Sequence, residues 1–211
     1  MLLVFIILLM SIAYADLTLF DSSSSTFIDL SERFVSTTQF HQYNSYVNQP
    51  YVSNGLIGSR IPNLGFGFTY DQNQNSSSSY LSNGWPLFNK RYSGAFVSGF
   101  FNAQKNTTGT NFPSILNNGG YESVISSIPQ WTDLNFFIEN NGKEFVLNPK
   151  NIQTQLTNYT QSLNMSNGIV TTSYLWMNLI EISISVFAHA EIGQLGMMEI
   201  NLNPMNDKVN I

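Results

Sequence analysis

The sequence predicts a mainly β protein, an antiparallel β-sandwich, and three observations carry that prediction. Ile180, Ile182, Ile184, Val186 and Ala188 alternate with Glu181, Ser183, Ser185, Phe187 and His189. That is a period of two with one strictly aliphatic face, the pattern of a half-buried strand. Leu134–Glu139 and Lys143–Leu147 are apolar-rich runs separated by Asn140-Asn141-Gly142. Asn-Gly supplies the two positive-φ residues of a type I′ turn, so this is the clearest hairpin in the chain. Helical periodicity is scarce, and strand-like runs separated by turns dominate the second half.

Taken in order, the chain opens on an apolar run, Leu2–Met10, followed by Ser11-Ile12 and then Ala13-Tyr14-Ala15. An apolar stretch before an A-x-A site reads as a secretory signal peptide, residues 1–15, cut before Asp16. The run is too short to span a bilayer. No second stretch is long enough either, so no membrane span is expected after cleavage. Residues 16–211 then form one domain with one core. Ser22–Ser25 reads as loop. Phe27–Phe34 is predicted as a short helix, with Asp29, Ser31 and Glu32 capping its first turn. Asp71–Ser79 is polar throughout and reads as an inserted surface loop. Gly168–Met177 and Leu195–Leu202 complete the run of strands around Ile180–Ala188.

Composition narrows the function. The net charge is −5, from 8 basic and 13 acidic residues, and only 10% of the chain is charged. Asn, Ser, Thr, Gln and Tyr must therefore supply the polar surface. A neutral hydrogen-bonding surface suits a secreted, sugar-facing glycoprotein, although a bias toward Asn and Ser would give the same composition. It argues against nucleic acid, which requires a Lys/Arg stripe, and against a polybasic membrane anchor. There is no cysteine, hence no disulfide and no thiolate metal site. Four N-x-S/T acceptors occur, at Asn75, Asn106, Asn158 and Asn164. Behind a signal peptide these are expected N-glycosylation sites at the surface.

Three dense blocks lie between Tyr51 and Trp131: YVSNGLIGSRIP (51–62), NGWPLFNKRYSGAFVSGF (83–100) and NTTGTNFPSILNNGGYESVISSIPQW (106–131). Together they resemble the N-terminal region of fungal acid trehalases, members of glycoside hydrolase family 65. The resemblance spans roughly Pro50 to Ala190. It implies a large sandwich packed against an (α/α)6 barrel that holds the catalytic carboxylates. It also implies a secreted or vacuolar enzyme that hydrolyses α,α-trehalose to glucose. The barrel would follow Ile211, so the sandwich is expected to be incomplete at its C-terminus and inactive alone. Two departures stand out. Asn117-Asn118-Gly119-Gly120-Tyr121 is longer than the family's Asn-Gly-Tyr, and Asn203–Ile211 breaks off where the family continues into further strands.

Few residues here could carry chemistry. Asn54, Gly55, Gly58 and Arg60 form an NGxxGxR motif similar to one near the start of many family 65 members, including maltose and kojibiose phosphorylases. Two readings stand. The loop lies at the barrel interface near the sugar-binding mouth, or it is a turn whose Arg60 caps backbone carbonyls inside the sandwich. Gly58 is expected to allow close backbone approach. Trp85, beside Pro86 and Phe88, is either a platform for a sugar ring or a core residue. The neighbouring Tyr92, Phe96 and Phe100 read as strand interior, which favours the core. Trp131 admits the same two readings, and Trp176 reads as core. Gly65-Phe66-Gly67 reads as an incidental turn or bulge.

Glycoside hydrolysis needs two carboxyl groups at a defined separation. Glu122, Asp133, Glu181 and Glu199 are scattered, so no catalytic residue is assigned, and trehalases of this family are understood to invert with their acid in the barrel. His41 and His189 are too few and too far apart for a metal site or a triad. No cofactor is expected. The expected partners are carbohydrate, as trehalose in the whole enzyme, and the catalytic barrel. Two further readings remain, a free-standing secreted carbohydrate-binding sandwich and a structural β-protein without a ligand. The expected place is the secretory pathway, leading to the cell wall, the extracellular space or the vacuole lumen.

Overall fold

A computed structural model describes residues 25–40, 49–67, 94–105, 121–148, 155–206 and 209–210. The expected signal peptide (residues 1–15), Asp71–Ser79, Tyr92, Trp85, Asn75, Asn106 and His41 lie outside the described residues. Every regular element described is a strand, and every pairing is antiparallel. The larger sheet has six strands: β1 (Thr26–Asp29), β2 (Phe34–Thr37), β9 (Leu156–Asn164), β10 (Ile169–Trp176), β11 (Ile180–Ala188) and β12 (Gly196–Pro204), in that spatial order. A four-stranded sheet follows chain order through β3 (Tyr51–Ser53), β4 (Ile57–Arg60), β5 (Ala95–Lys105) and β6 (Tyr121–Ile128). A third sheet sets β13 (Val209–Asn210) beside β7 (Phe136–Asn140) and β8 (Lys143–Leu147).

The period-two face of β11 does what its spacing predicts. Ile180, Ile182, Ile184 and Val186 are fully buried, and so are Val170, Tyr174 and Trp176 on the neighbouring β10. Their cover comes from within the chain. Val52 of β3, Ile61, Leu64 and Phe66 of the following segment, and Ile138, Leu147 and Val209 of the third sheet join them in one core cluster. Described residues of the chain itself thus pack over the aliphatic face of β11. Phe66 meets Phe136 edge to face, with ring centroids 4.7 Å apart, a favoured aromatic geometry. Trp176 is core, as its strand pattern implied.

The β7–β8 hairpin turns at Asn141 (φ 53°) and Gly142 (φ 73°), as expected for type I′. The predicted helix at Phe27–Phe34 is instead the β1–β2 hairpin. Its capping residues were read correctly but serve a hairpin turn. The Asp29 carboxylate accepts from the backbone N–H of Ser31 and Glu32 and from the Ser31 hydroxyl, and Arg33 takes a left-handed conformation. An Asx turn and a helix N-cap share these bonds, and only the flanking strands distinguish them.

Gly65-Phe66-Gly67 is also more than an incidental turn. Gly65 has φ +80°, and a Cβ there would sit 2.9 Å from the Thr172 Cβ. The glycine lets residues 61–67 lie directly on the six-stranded sheet. Two buried side chains of that sheet fix the segment. Gln161 donates to the Pro62 carbonyl at 2.8 Å and to the Thr172 hydroxyl at 3.0 Å. The Tyr174 hydroxyl donates to the Leu64 carbonyl at 3.1 Å. Burial raises the Tyr174 pKa well above its ordinary value, with neighbouring Tyr159 adding to the shift. Phe100, read as strand interior, lies on β5 but is 52% exposed, beside an exposed Phe101.

Candidate functional site

The NGxxGxR segment is the joint between the two larger sheets. Asn54 closes the β3–β4 turn. Its Oδ1 accepts from the N–H of Leu56 at 3.1 Å and of Ile57 at 3.0 Å. Gly55 supplies the positive φ, +89°, that the turn requires. The same Asn54 side chain reaches across to the loop between β11 and β12. Its Nδ2 donates to the carbonyl of His189 at 2.8 Å and of Gly193 at 3.0 Å. An amide side chain has two donor hydrogens and an acceptor oxygen with two lone pairs. All of that capacity is engaged within the protein.

The acceptor loop is itself preset. His189 Nδ1 accepts from the N–H of Glu191 and Ile192, while its backbone N–H donates to the Leu195 carbonyl. A Cβ on Gly193 would lie 3.1 Å from Leu56 Cδ2, so the two loops pack closely as well as bond. At the start of β12, directly after this loop, Gly196 lies under the Trp131 indole, and a Cβ there would come within 2.7 Å of the ring. Trp131 is half-buried against the core, and its Nε1 lies buried without a hydrogen bond.

Arg60 is 2% exposed, which removes it from the protein's open surface. Its N–H donates to the Gly94 carbonyl. Its carbonyl lies 3.2 Å from Gln130 Nε2, which also donates to the hydroxyls of Ser59 (2.7 Å) and Thr132 (2.8 Å). Gly58 does not mediate a close approach, because a Cβ there would meet nothing nearer than 3.5 Å. The structure thus brings Asn54, Gly55, Gly58 and Arg60 together on one hairpin. Gln130, Gln161 and His189 complete this polar joint, and nothing in the sequence marked them as its partners.

Asp133, Glu181 and Glu199 are exposed. Glu181 accepts from Asn203, and Glu199 accepts from Asn201. Among the described residues, no three His, Cys, Asp or Glu side chains gather as a metal site would require, and no helix is long and apolar enough to cross a membrane. Asn158 and Asn164 both lie on β9, the first exposed and the second half-buried.

The geometry is that of a structural joint, and comparison with known proteins says of what. A family model described as glycosyl hydrolase family 65, N-terminal domain, matches residues 33–211. The chain belongs to glycosyl hydrolase family 65. It is 50% identical over 196 residues to a cell wall acid trehalase of Candida albicans, covering 90% of this chain and 18% of that protein. It is 46% identical over 178 residues to a periplasmic acid trehalase of Saccharomyces cerevisiae, covering 82% of this chain and 14% of that one. A periplasmic or secreted acid trehalase of Candida glabrata is 44% identical over 195 residues. The family 65 chain therefore spans less than a fifth of the length of these relatives. Among solved structures, a putative kojibiose phosphorylase from the human microbiome shares the fold, with a TM-score of 0.52 at 12% identity over 86% of this chain and 21% of that one.

Proposed function

We propose that this chain is the non-catalytic sandwich of a secreted acid trehalase. Hydrolysis of α,α-trehalose to glucose would be carried by catalytic residues elsewhere in the enzyme. The observation that carries this reading is the 50% identity across nine-tenths of the chain to an acid trehalase of which the chain spans 18%. The polar joint supports it. Its amide groups are spent on holding two sheets together, which is what a rigid support for a neighbouring catalytic domain needs. The relatives' names, cell wall and periplasmic, support delivery outside the plasma membrane, in keeping with the A-x-A site before Asp16.

Two assays test it together. The purified chain is incubated with trehalose at acidic pH and should release no glucose. A chimera of the Candida albicans enzyme, with this chain in place of its matching segment, should hydrolyse trehalose. Turnover by the isolated chain that disappears when one of its own carboxylates is substituted would overturn the reading. So would a folded, secreted chimera without activity.

A further inference from the structure

We infer that Asn158, set outward by a bulge in β9, is an N-glycan attachment site; this rests on the secretory reading above. Asn158-Tyr159-Thr160 is one of two acceptor sequences whose structure is described, the other being Asn164-Met165-Ser166. The two asparagines occupy different places. Thr160 pairs with Ser173 and Thr157 with Leu175, so Asn158 and Tyr159 together oppose Tyr174. That two-against-one count is a β-bulge.

The bulge sorts its two residues to opposite sides. Tyr159 turns inward, stacked on Tyr174 with centroids 6.4 Å apart and edge-on to Phe40 at 5.2 Å. Asn158 takes the left-handed conformation, φ 53°, and is exposed. Asparagine is one of the few non-glycine residues that visits this region readily. Strand β2 pairs with β9 only from Gln161 to Asn164, so it stops short of Asn158. Among the described residues, β2 therefore leaves Asn158 uncovered. Asn164, by contrast, is half-buried in the β9–β10 turn. Its Oδ1 accepts from the Ser166 N–H and its carbonyl from the Gly168 N–H.

The modification is a group transfer. Asn158 Nδ2 bonds to the anomeric carbon of an oligosaccharide carried on a lipid diphosphate. The anomeric C–O bond breaks, the diphosphate leaves with the electron pair, and the amide gives up one proton. The transfer precedes folding, so the structure's part is to accept the product. A bulky polar group at a buried position would block the sandwich, and at this bulge it does not.

The full chain is secreted from a yeast host and deglycosylated by an amidase in heavy-oxygen water, then mapped by mass spectrometry. Residue 158 should be recovered as heavy-oxygen aspartate. Thr160→Ala, which leaves Asn158 in place, and Asn158→Gly, which suits the positive φ, should each shorten the secreted protein by one glycan on a gel while it still folds and secretes. An unmodified Asn158 peptide at full occupancy, with label at Asn75, Asn106 or Asn164, overturns the inference alone. Absence of label at all four acceptors overturns both it and the secretory reading.

Discussion

Asn54-Gly55 and Asn141-Gly142 are the same dipeptide, and each joins two antiparallel strands, yet they close unlike turns. At the β7–β8 tip both residues are left-handed, and a Cβ on Gly142 would meet nothing within 4 Å. That turn stands in solvent and answers only to its own hairpin. At the β3–β4 tip only Gly55 is left-handed, and the Asn54 side chain bonds both to its own turn and to the carbonyls of His189 and Gly193. The first turn is a local device; the second is a joint between sheets. The dipeptide sets the capacity to reverse the chain, and a partner more than a hundred residues away decides what else it does.

Breaking the joint should cost the most. Asn54→Ala removes four hydrogen bonds and leaves two partly buried carbonyls and two turn N–H groups without that partner, so stability should fall by about 2–4 kcal/mol. Urea unfolding of the two proteins under identical conditions measures it. A loss no larger than that from Asn141→Ala would show that the joint carries no special load. Gly142→Val tests the local device. A β-branched residue is strained at φ +73°, so a loss of about 1 kcal/mol is expected, with no change at the Asn54 contacts. A Gly142→Val protein as stable as its parent would show that the tip tolerates a different turn.

The β1–β2 turn sharpens the comparison by its pH dependence. The Glu32 N–H and the Ser31 hydroxyl hold the Asp29 pKa below its ordinary value of 3.8. A lowered folded-state pKa means the contribution is present above the unfolded value and is lost as pH falls through the folded one. The parent's small advantage over Asp29→Asn in thermal midpoint should therefore be present at neutral pH and shrink below about pH 4. A difference that stays constant through the acid range would rule the carboxylate charge out of the turn.

The legible parts of this molecule were those whose pattern is local. Strand β11 announces itself because its aliphatic face needs only its own alternation, and Asn141-Gly142 because both required dihedrals lie in the dipeptide. Strand β9 went unread. Its sequence, LTNYTQSLN, is polar on both sides of a bulge, and its inward residues include Gln161, buried because it bonds Pro62 and Thr172. Burial that depends on a distant carbonyl leaves no period in the sequence. For Arg60 the motif left two readings, a barrel interface or the inside of the sandwich, and its side chain is buried. At Asp29 the bonds were foreseen and the element was not, since the turn and the cap are the same local chemistry.

The joint also sets an order in time. Asn54 bonds to residues 135 and 139 positions further along the chain. During synthesis, at roughly 5–20 residues per second, its acceptors emerge on the order of ten seconds after it does. Throughout that interval Val52 and Ile57, both destined for burial, have no finished partner sheet to lie against. The nascent hairpin therefore keeps its apolar side open during synthesis, and the interval closes only when the β11–β12 loop arrives.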